Sequence, residues 1–436
     1  MTVAEMKQRV LEAIDRQAER IVEIGHDIFT HPELGYKETR SAQRVAEVLR
    51  EMGLEPETGL AITGVRADIV PENPQVSLAI LGELDAVVCP EHPHADPETG
   101  ASHSCGHNGQ IAAMLGAGMG LLESGVWEQL GGQVVLFAVP AEEFVELEYR
   151  QKLRDEGKIR FFGGKQELIA RGHFDDIDLA MQIHLAALPQ QYTCMLGGTS
   201  NGFIGKLIRY IGKEAHAGGA PHLGVNALNA AMLGIQAIHA QRETFRDEDT
   251  VRVHPIITRG GDLVNIIPAD VRLETYVRGK TMEAILDASQ KVNRALRAGA
   301  MAVGAEVEIT ELPGYLPRLN DPAMNELFRE NLSALVPAES ILPPSHTTGS
   351  SDMGDINHLL PSIHPYVGGA VGKGHSKEFE VTDPQLAYVT SAKALALTAI
   401  DLLADEARRA LEIKRAFKPI YTKESYLAMW EKLFQG

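Results

Sequence analysis

The 436-residue chain carries only three cysteines and two tryptophans, and it has far fewer basic than acidic residues, 41 against 59. Cys89, Cys105 and Cys194 are too few and too scattered for a disulfide framework. That points to a reducing compartment and makes any special cysteine a ligand or a nucleophile. The net charge of -18 repels nucleic acid and anionic membranes, so neither is an expected partner. It also disfavours an anionic substrate unless the site supplies its own positive charge from metal ions or arginine. No basic segment followed by an apolar stretch opens the sequence. The longest near-apolar run, 111–122, is Gly-rich and far shorter than the ~20 residues a membrane helix needs. A cytoplasmic protein without membrane helices is expected.

What is present is globular: 44% hydrophobic and 23% charged residues, in a chain long enough that two domains are the natural expectation. Met6, Val10, Ile14, Ala18 and Ile21 recur at helical spacing and mark an amphipathic first helix. Runs rich in Val, Ile and Leu at 65–70, 76–81, 134–139 and 177–183 read as buried strands separated by helical segments, giving an open α/β fold with a mostly parallel sheet. From 200 the pattern changes to strand 203–211, helix 225–240, strands 251–258 and 271–277, helix 282–303 and strand 307–312. This β-α-β-β-α-β order is that of a ferredoxin-like unit. Alternation of Val271, Leu273, Thr275 and Val277 with Arg272, Glu274 and Tyr276 predicts a half-buried sheet. A long Ala/Leu-rich helix after Gln385 returns the chain to its first domain. The expected division is therefore 1–199 and 313–436 for the larger domain, with 200–312 inserted.

Four polar clusters fall at or just beyond the ends of apolar runs, where open α/β sheets place their sites. They are Glu83-Leu84-Asp85, Pro140-Ala141-Glu142-Glu143, His184, and Ser104-Cys105-Gly106-His107-Asn108. Each alone has an ordinary explanation: a hydrogen-bonded histidine, a solvated acidic turn, a small buried cysteine. Together they supply thiolate, imidazole and carboxylate, the ligand types of zinc and similar ions. The adjacent carboxylates of Glu142 and Glu143 are the most informative pair. One can bind metal while its neighbour handles protons for a metal-activated water.

These motifs resemble the dinuclear metal-dependent aminoacylase and carboxypeptidase family, peptidase family M20, particularly its aminobenzoyl-glutamate and auxin-conjugate hydrolase branch. The carriers are Cys-Gly-His-Asn at 105–108, Pro-Ala-Glu-Glu at 140–143 and Gly-Lys-Glu-Ala-His-Ala at 212–217. Two more are Gly-Gly-Asp-Leu-Val-Asn-Ile-Ile-Pro at 260–268 and Gly-Lys-Gly-His-Ser at 372–376. The resemblance implies a zinc-peptidase-like catalytic domain with an inserted lid and dimerisation domain, and hence a homodimer. It also implies that Cys105, His107, Glu143, His184 and His375 hold two divalent ions, zinc or manganese. Glu142 would be the general acid/base, with Asp85 orienting a ligand and His216 stabilising the oxyanion across the dimer interface. Asn265 and Arg278 would bind substrate, the arginine answering the need for local positive charge. The implied reaction is hydrolysis of the amide bond of a small N-acyl amino acid or aminobenzoyl-glutamate-like compound.

Some features depart from that pattern. Asn108 stands where the auxin-conjugate enzymes have Asp, and Glu83 where relatives have Asp or His. A charged segment, 144–160, extends the stretch between Glu143 and His184 and is expected to reshape the substrate pocket. The histidines of loop 90–103 are expected on an exposed polar loop. Gly198-Thr199-Ser200-Asn201-Gly202 fits G-x-S-x-G but precedes a strand instead of following one, which argues against a serine nucleophile. His346 with Ser350 and Asp352 fits a loop better than a triad. Dipeptidase or aminopeptidase activity is the alternative within the family, and a non-catalytic metal- or ligand-binding protein is the alternative outside it.

Overall fold

The computed structural model describes residues 1–434. Two compact units divide the chain. One comprises Met1–Thr199, Leu319–His346 and Asp355–Lys423; the other comprises Ser200–Arg318, Thr347–Gly354 and a C-terminal segment from Glu424. Position 312 lies within the last strand of the second unit, Glu306–Pro313, and that unit continues a few residues further before the chain re-enters the first.

The first unit is built on a six-stranded sheet in the order Glu57–Leu60, Gly64–Ile69, Gln133–Val139, Ser77–Glu83, Leu179–Met181, Ser362–Ile363. The last four pair in parallel, whereas Gly64–Ile69 runs antiparallel to Gln133–Val139 and to the edge strand. Every residue of Ser77–Glu83 is buried, as a central strand covered on both faces requires. The covering helix His107–Glu123 is buried along nearly its whole length. Its glycines permit close approach: a side-chain carbon at Gly118 would collide with Leu136 of the sheet.

A π-helical turn, Gln385–Thr390, leads into the long helix Ser391–Ala416, which breaks where Asp405, Glu406 and Ala407 adopt left-handed conformations. By length and composition this segment could span a bilayer, but 78% of its most apolar window is buried inside the protein. It packs as a core helix against His107–Glu123 and the first helix, Val3–Arg16.

In the five-stranded sheet of the second unit the strand pairs are antiparallel. The order is Arg252–Val253, Asp270–Gly279, Gly202–Ile211, Glu306–Pro313, with Ile256–Arg259 also paired to Asp270–Gly279. Helices Ala227–Ala240 and Met282–Val303 share a core with Tyr210, Leu273 and Val277. Strict alternation of buried and half-buried positions along Asp270–Gly279 marks a sheet with one covered face.

Loop 90–103 departs from expectation. His92 and His103 are buried, not exposed, because His92 Nε2 donates to the Phe379 carbonyl at 2.8 Å and its ring packs edge-on against Phe29.

Ile111 is wholly buried beneath Gly82 of the central strand. Ile111→Ala is expected to cost about 2–5 kcal/mol of stability, read as a lower denaturant midpoint at unchanged slope. A loss within about 0.5 kcal/mol, the size of a surface change, would contradict this packing.

Candidate metal centre

The parallel strands Ser77–Glu83, Gln133–Val139 and Leu179–Met181 end side by side, so the residues that follow them share one edge of the sheet. Glu83 and Asp85 leave the first, Glu142 and Glu143 the second, His184 the third. Gly106, at φ 86°, turns the chain into the helix that begins at His107. His375 arrives from a separate turn, held by its own N–H donating to the Ser104 carbonyl at 2.8 Å.

The side chains meet in three groups, within each of which the donor atoms lie no more than 4.8 Å apart: Cys105 with His107 and His184, Cys105 with Glu143 and His375, and Glu83 with His107 and Glu142. Cys105 belongs to the first two. Its Sγ is 3.5 Å from His184 Nε2 and 3.3 Å from His375 Nε2. His375 Nε2 also lies 3.1 Å from Glu143 Oε1. His184 Nδ1 donates to the Leu185 carbonyl at 2.7 Å, and His107 Nδ1 donates to the Asp85 carbonyl at 2.8 Å. A carbonyl can only accept, so both rings carry a proton on Nδ1 and turn Nε2 toward the cluster, as metal-ligating histidines do.

Charge is partitioned sharply here. Burial pushes the Cys105 thiol up and Glu143 adds to that, but His107 and His184 outweigh both and bring it down to about 6. Burial also pushes Glu143 up; His375 outweighs it and holds the carboxyl at about 2, while Glu143 in turn raises His375 to about 11. For His107, burial favours the neutral ring, but Glu83 and then Cys105 hold it well above its ordinary value. These are the charges of the protein without metal. Buried atoms of the cluster that lack a hydrogen-bond partner among the described residues are His107 Nε2, Glu143 Oε1 and Asp85 Oδ1. A thiol poised to ionise and inward imidazole and carboxylate atoms paired chiefly with one another fit divalent ions with mixed S, N and O ligands.

Two neighbours, Lys165 and Glu38, escaped sequence reasoning. Glu83 is fully buried and accepts from Lys165 at 2.5 Å, Gln182 at 2.7 Å and Gln110 at 2.7 Å. Burial raises its carboxyl, yet Lys165 and then His107 hold it well below the usual range. Glu38 lies beneath Ala141 and accepts that residue's N–H at 2.8 Å; burial, reinforced by Asp85, raises it to about 7. Neither lysine nor glutamate stands in a motif, and only the fold places them. Asn108 is structural: it donates to the Gly25 carbonyl at 3.1 Å and to Tyr388 at 2.8 Å.

His216, Asn265 and Arg278 belong to the second unit. His216 is exposed, and its Nδ1 accepts the N–H groups of Gly218 and Gly219 at 3.2 and 2.9 Å. That arrangement leaves the proton of a neutral ring on Nε2, available as a donor. Asn265 is exposed beside it, its carbonyl accepting from Ala217. Arg278 donates to Ser350 at 2.7 Å and lies over the rings of Phe203 and Tyr276. Ser200 is buried, accepts from Arg318 at 3.0 Å and donates to the Asn201 carbonyl, a structural setting for that hydroxyl.

The chain is similar to several known proteins over most of its length. The peptidase dimerisation domain (M20_dimer) matches residues 199–302. The Xaa-Arg dipeptidase of Mus musculus is 29% identical over 423 residues, covering 91% of this chain and 89% of its own. The IAA-amino acid hydrolase ILR1-like 4 of Arabidopsis thaliana is 25% identical, covering 86% and 84%. Among solved structures, the YXEP protein of Bacillus subtilis, a dinuclear metal-binding peptidase from the M20 family, superposes with a TM-score of 0.64 at 20% identity, covering 89% and 99%. The aminobenzoyl-glutamate utilization protein of Klebsiella pneumoniae does so at 0.66 and 20%, covering 89% and 97%. With these matches running nearly end to end, the chain belongs to the M20 peptidase family of metal-dependent enzymes that hydrolyse peptide and amide bonds.

Proposed function

We propose that this enzyme is a dinuclear amidohydrolase that cleaves a small N-acyl amino acid or an aminobenzoyl-glutamate-like compound. The observation that carries the proposal is the sharing of Cys105 by two donor groups, with Glu142 in the third group beside them. His107 and His184 would hold one ion and Glu143 and His375 the other, with the Cys105 thiolate common to both. Soft thiolate and imidazole suit zinc, and the carboxylate also admits manganese. Bound ions would supply Lewis acidity, polarising the amide carbonyl and letting water deprotonate near neutral pH.

The chain's own groups do the rest. Asp85 accepts the Glu143 N–H at 2.8 Å through Oδ2, and its Oδ1 lies 3.4 Å from His107 Nδ1, so one carboxylate orients a residue of each donor group. Glu142 takes the proton of the attacking water and delivers it to the departing nitrogen. His216, with its proton on Nε2, is assigned to the developing oxyanion, and Asn265 and Arg278 to the substrate, where the guanidinium holds a carboxylate. The inserted domain is assigned to a homodimer interface, supported by the dimerisation-domain match and by the exposed apolar side chains of Ile256, Leu263 and Val264. Free cysteines at 89, 105 and 194 support a cytoplasmic location. A second reading, dipeptide hydrolysis, is favoured by the 29% identity to Xaa-Arg dipeptidases.

Amine release from N-acyl amino acids, aminobenzoyl-glutamate and dipeptides, compared between wild type and Glu142→Gln, tests the proposal. Wild type is expected to prefer substrates lacking a free α-amino group, and the substitution to lower kcat about 10²–10⁴-fold with metal retained. Full activity in Glu142→Gln would remove the proton-transfer assignment, and a preference for free amines would favour the dipeptidase reading. Metal binding carries its own signature. His107 and His375 are held protonated at pH 7 and must lose their protons to bind a cation, whereas Cys105 is already largely thiolate. Calorimetric titration in buffers of different ionisation enthalpy should therefore show net proton release at pH 7, with affinity falling further below pH 6 as Cys105 protonates. Binding without proton release would contradict the ligand set.

A further inference from the structure

Glu142 sits in a turn whose backbone is gripped on both sides of it. The N–H of Ala141 donates to Glu38 and the N–H of Glu143 to Asp85, each at 2.8 Å. On the carbonyl side one guanidinium reaches both flanking residues: Arg150 donates through Nη2 to the Glu143 carbonyl, which also accepts the Val145 N–H at 2.9 Å, and through Nη1 to the Phe162 carbonyl at 2.6 Å and at 3.5 Å to the Ala141 carbonyl, which accepts the Gly164 N–H at 3.0 Å. Ala141 itself is in a left-handed conformation, φ 52°, which a residue with a side chain keeps only where its surroundings dictate it.

Arg150 comes from helix Leu147–Asp155, inside the charged stretch expected to reshape the substrate pocket. It is 1% exposed, and its hydrogen bonds all go to backbone carbonyls. Burying a guanidinium without a hydrogen-bonded carboxylate partner is costly. Its path is cleared by Gly35, where any side-chain carbon would collide with Nη2, and its plane lies 5.4 Å from the Tyr36 ring centre.

We infer that Arg150 is a positioning residue for Glu142: the segment after Glu143 delivers a fork that fixes the carbonyls flanking the proton carrier. The inference rests on the role proposed above for Glu142. Lysine cannot reproduce the fork, because one ammonium cannot span carbonyls set apart by two residues with the same planar geometry.

The test compares R150K, R150M and G35A with E142Q, measuring kcat, KM and metal content on folded, metal-loaded protein. G35A keeps the guanidinium and its charge but crowds both Nη2 and the Ala141 backbone, so it reads displacement of the same turn even where R150M does not fold and is interpreted together with R150K. Misplacement of a reacting group by about 1 Å can lower turnover roughly 10²-fold. R150K and G35A are therefore expected to lose kcat on that scale, with KM within about twofold and full metal content. Wild-type kcat in R150K and G35A beside an inactive E142Q overturns the inference. So does a loss of activity that merely follows metal loss. An active E142Q instead overturns the proton-transfer role itself, independently of Arg150.

Discussion

A cleft that gathers one thiol, three imidazoles and three carboxylates into three overlapping groups at ligand distance holds together only if their charges compensate. Four of the seven, Glu83, His107, Glu142 and Glu143, are buried, where an unpaired charge is most costly. Without an ion, compensation comes from internal pairs: Glu143 with His375, and Glu83 with Lys165 and His107. Bound ions would displace the imidazole protons and take over their balancing role. The same groups could thus be accommodated in both states.

That fold works by lining up strand ends. Three adjacent parallel strands deliver their following residues to one edge, and the buried helix beginning at His107 closes the cleft from beside them. Precision is added by buried polar groups one layer back. Asp85 touches both His107 and the Glu143 backbone, while Glu38 and Arg150 fix the turn between them. These contacts join residues far apart in sequence, so the geometry of the site depends on the sheet, the first loops and the segment after Glu143 together.

Much of this was legible in the sequence. Period and composition marked the central strands and the β-α-β-β-α-β order of the inserted unit, because runs such as 76–81 and the alternation at 271–277 reflect burial directly. Cys105, His107, Glu143 and His375 stood in recognisable motifs and His184 followed an apolar run, and the structure brings them together. Direction of pairing was not legible: Gly64–Ile69, although it carries Arg66 and Asp68, read as one more buried strand of the same set, yet runs antiparallel to Gln133–Val139. Nor were Lys165, Glu38 and Arg150, since a charged residue destined for burial looks like a surface residue until its long-range partner is known. His92 and His103 of loop 90–103 were misplaced for the same reason, the burial of His92 depending on Phe29 and on a carbonyl at 379, whereas His94 is exposed as expected.

The sharing of Cys105 between two ions is tested most directly by anomalous diffraction from crystals of the zinc-loaded protein. Two peaks are expected, each within about 2.3 Å of Cys105 Sγ, one beside His107 and His184 and the other beside Glu143 and His375. A single peak, or two peaks with Cys105 bound to only one, would contradict it.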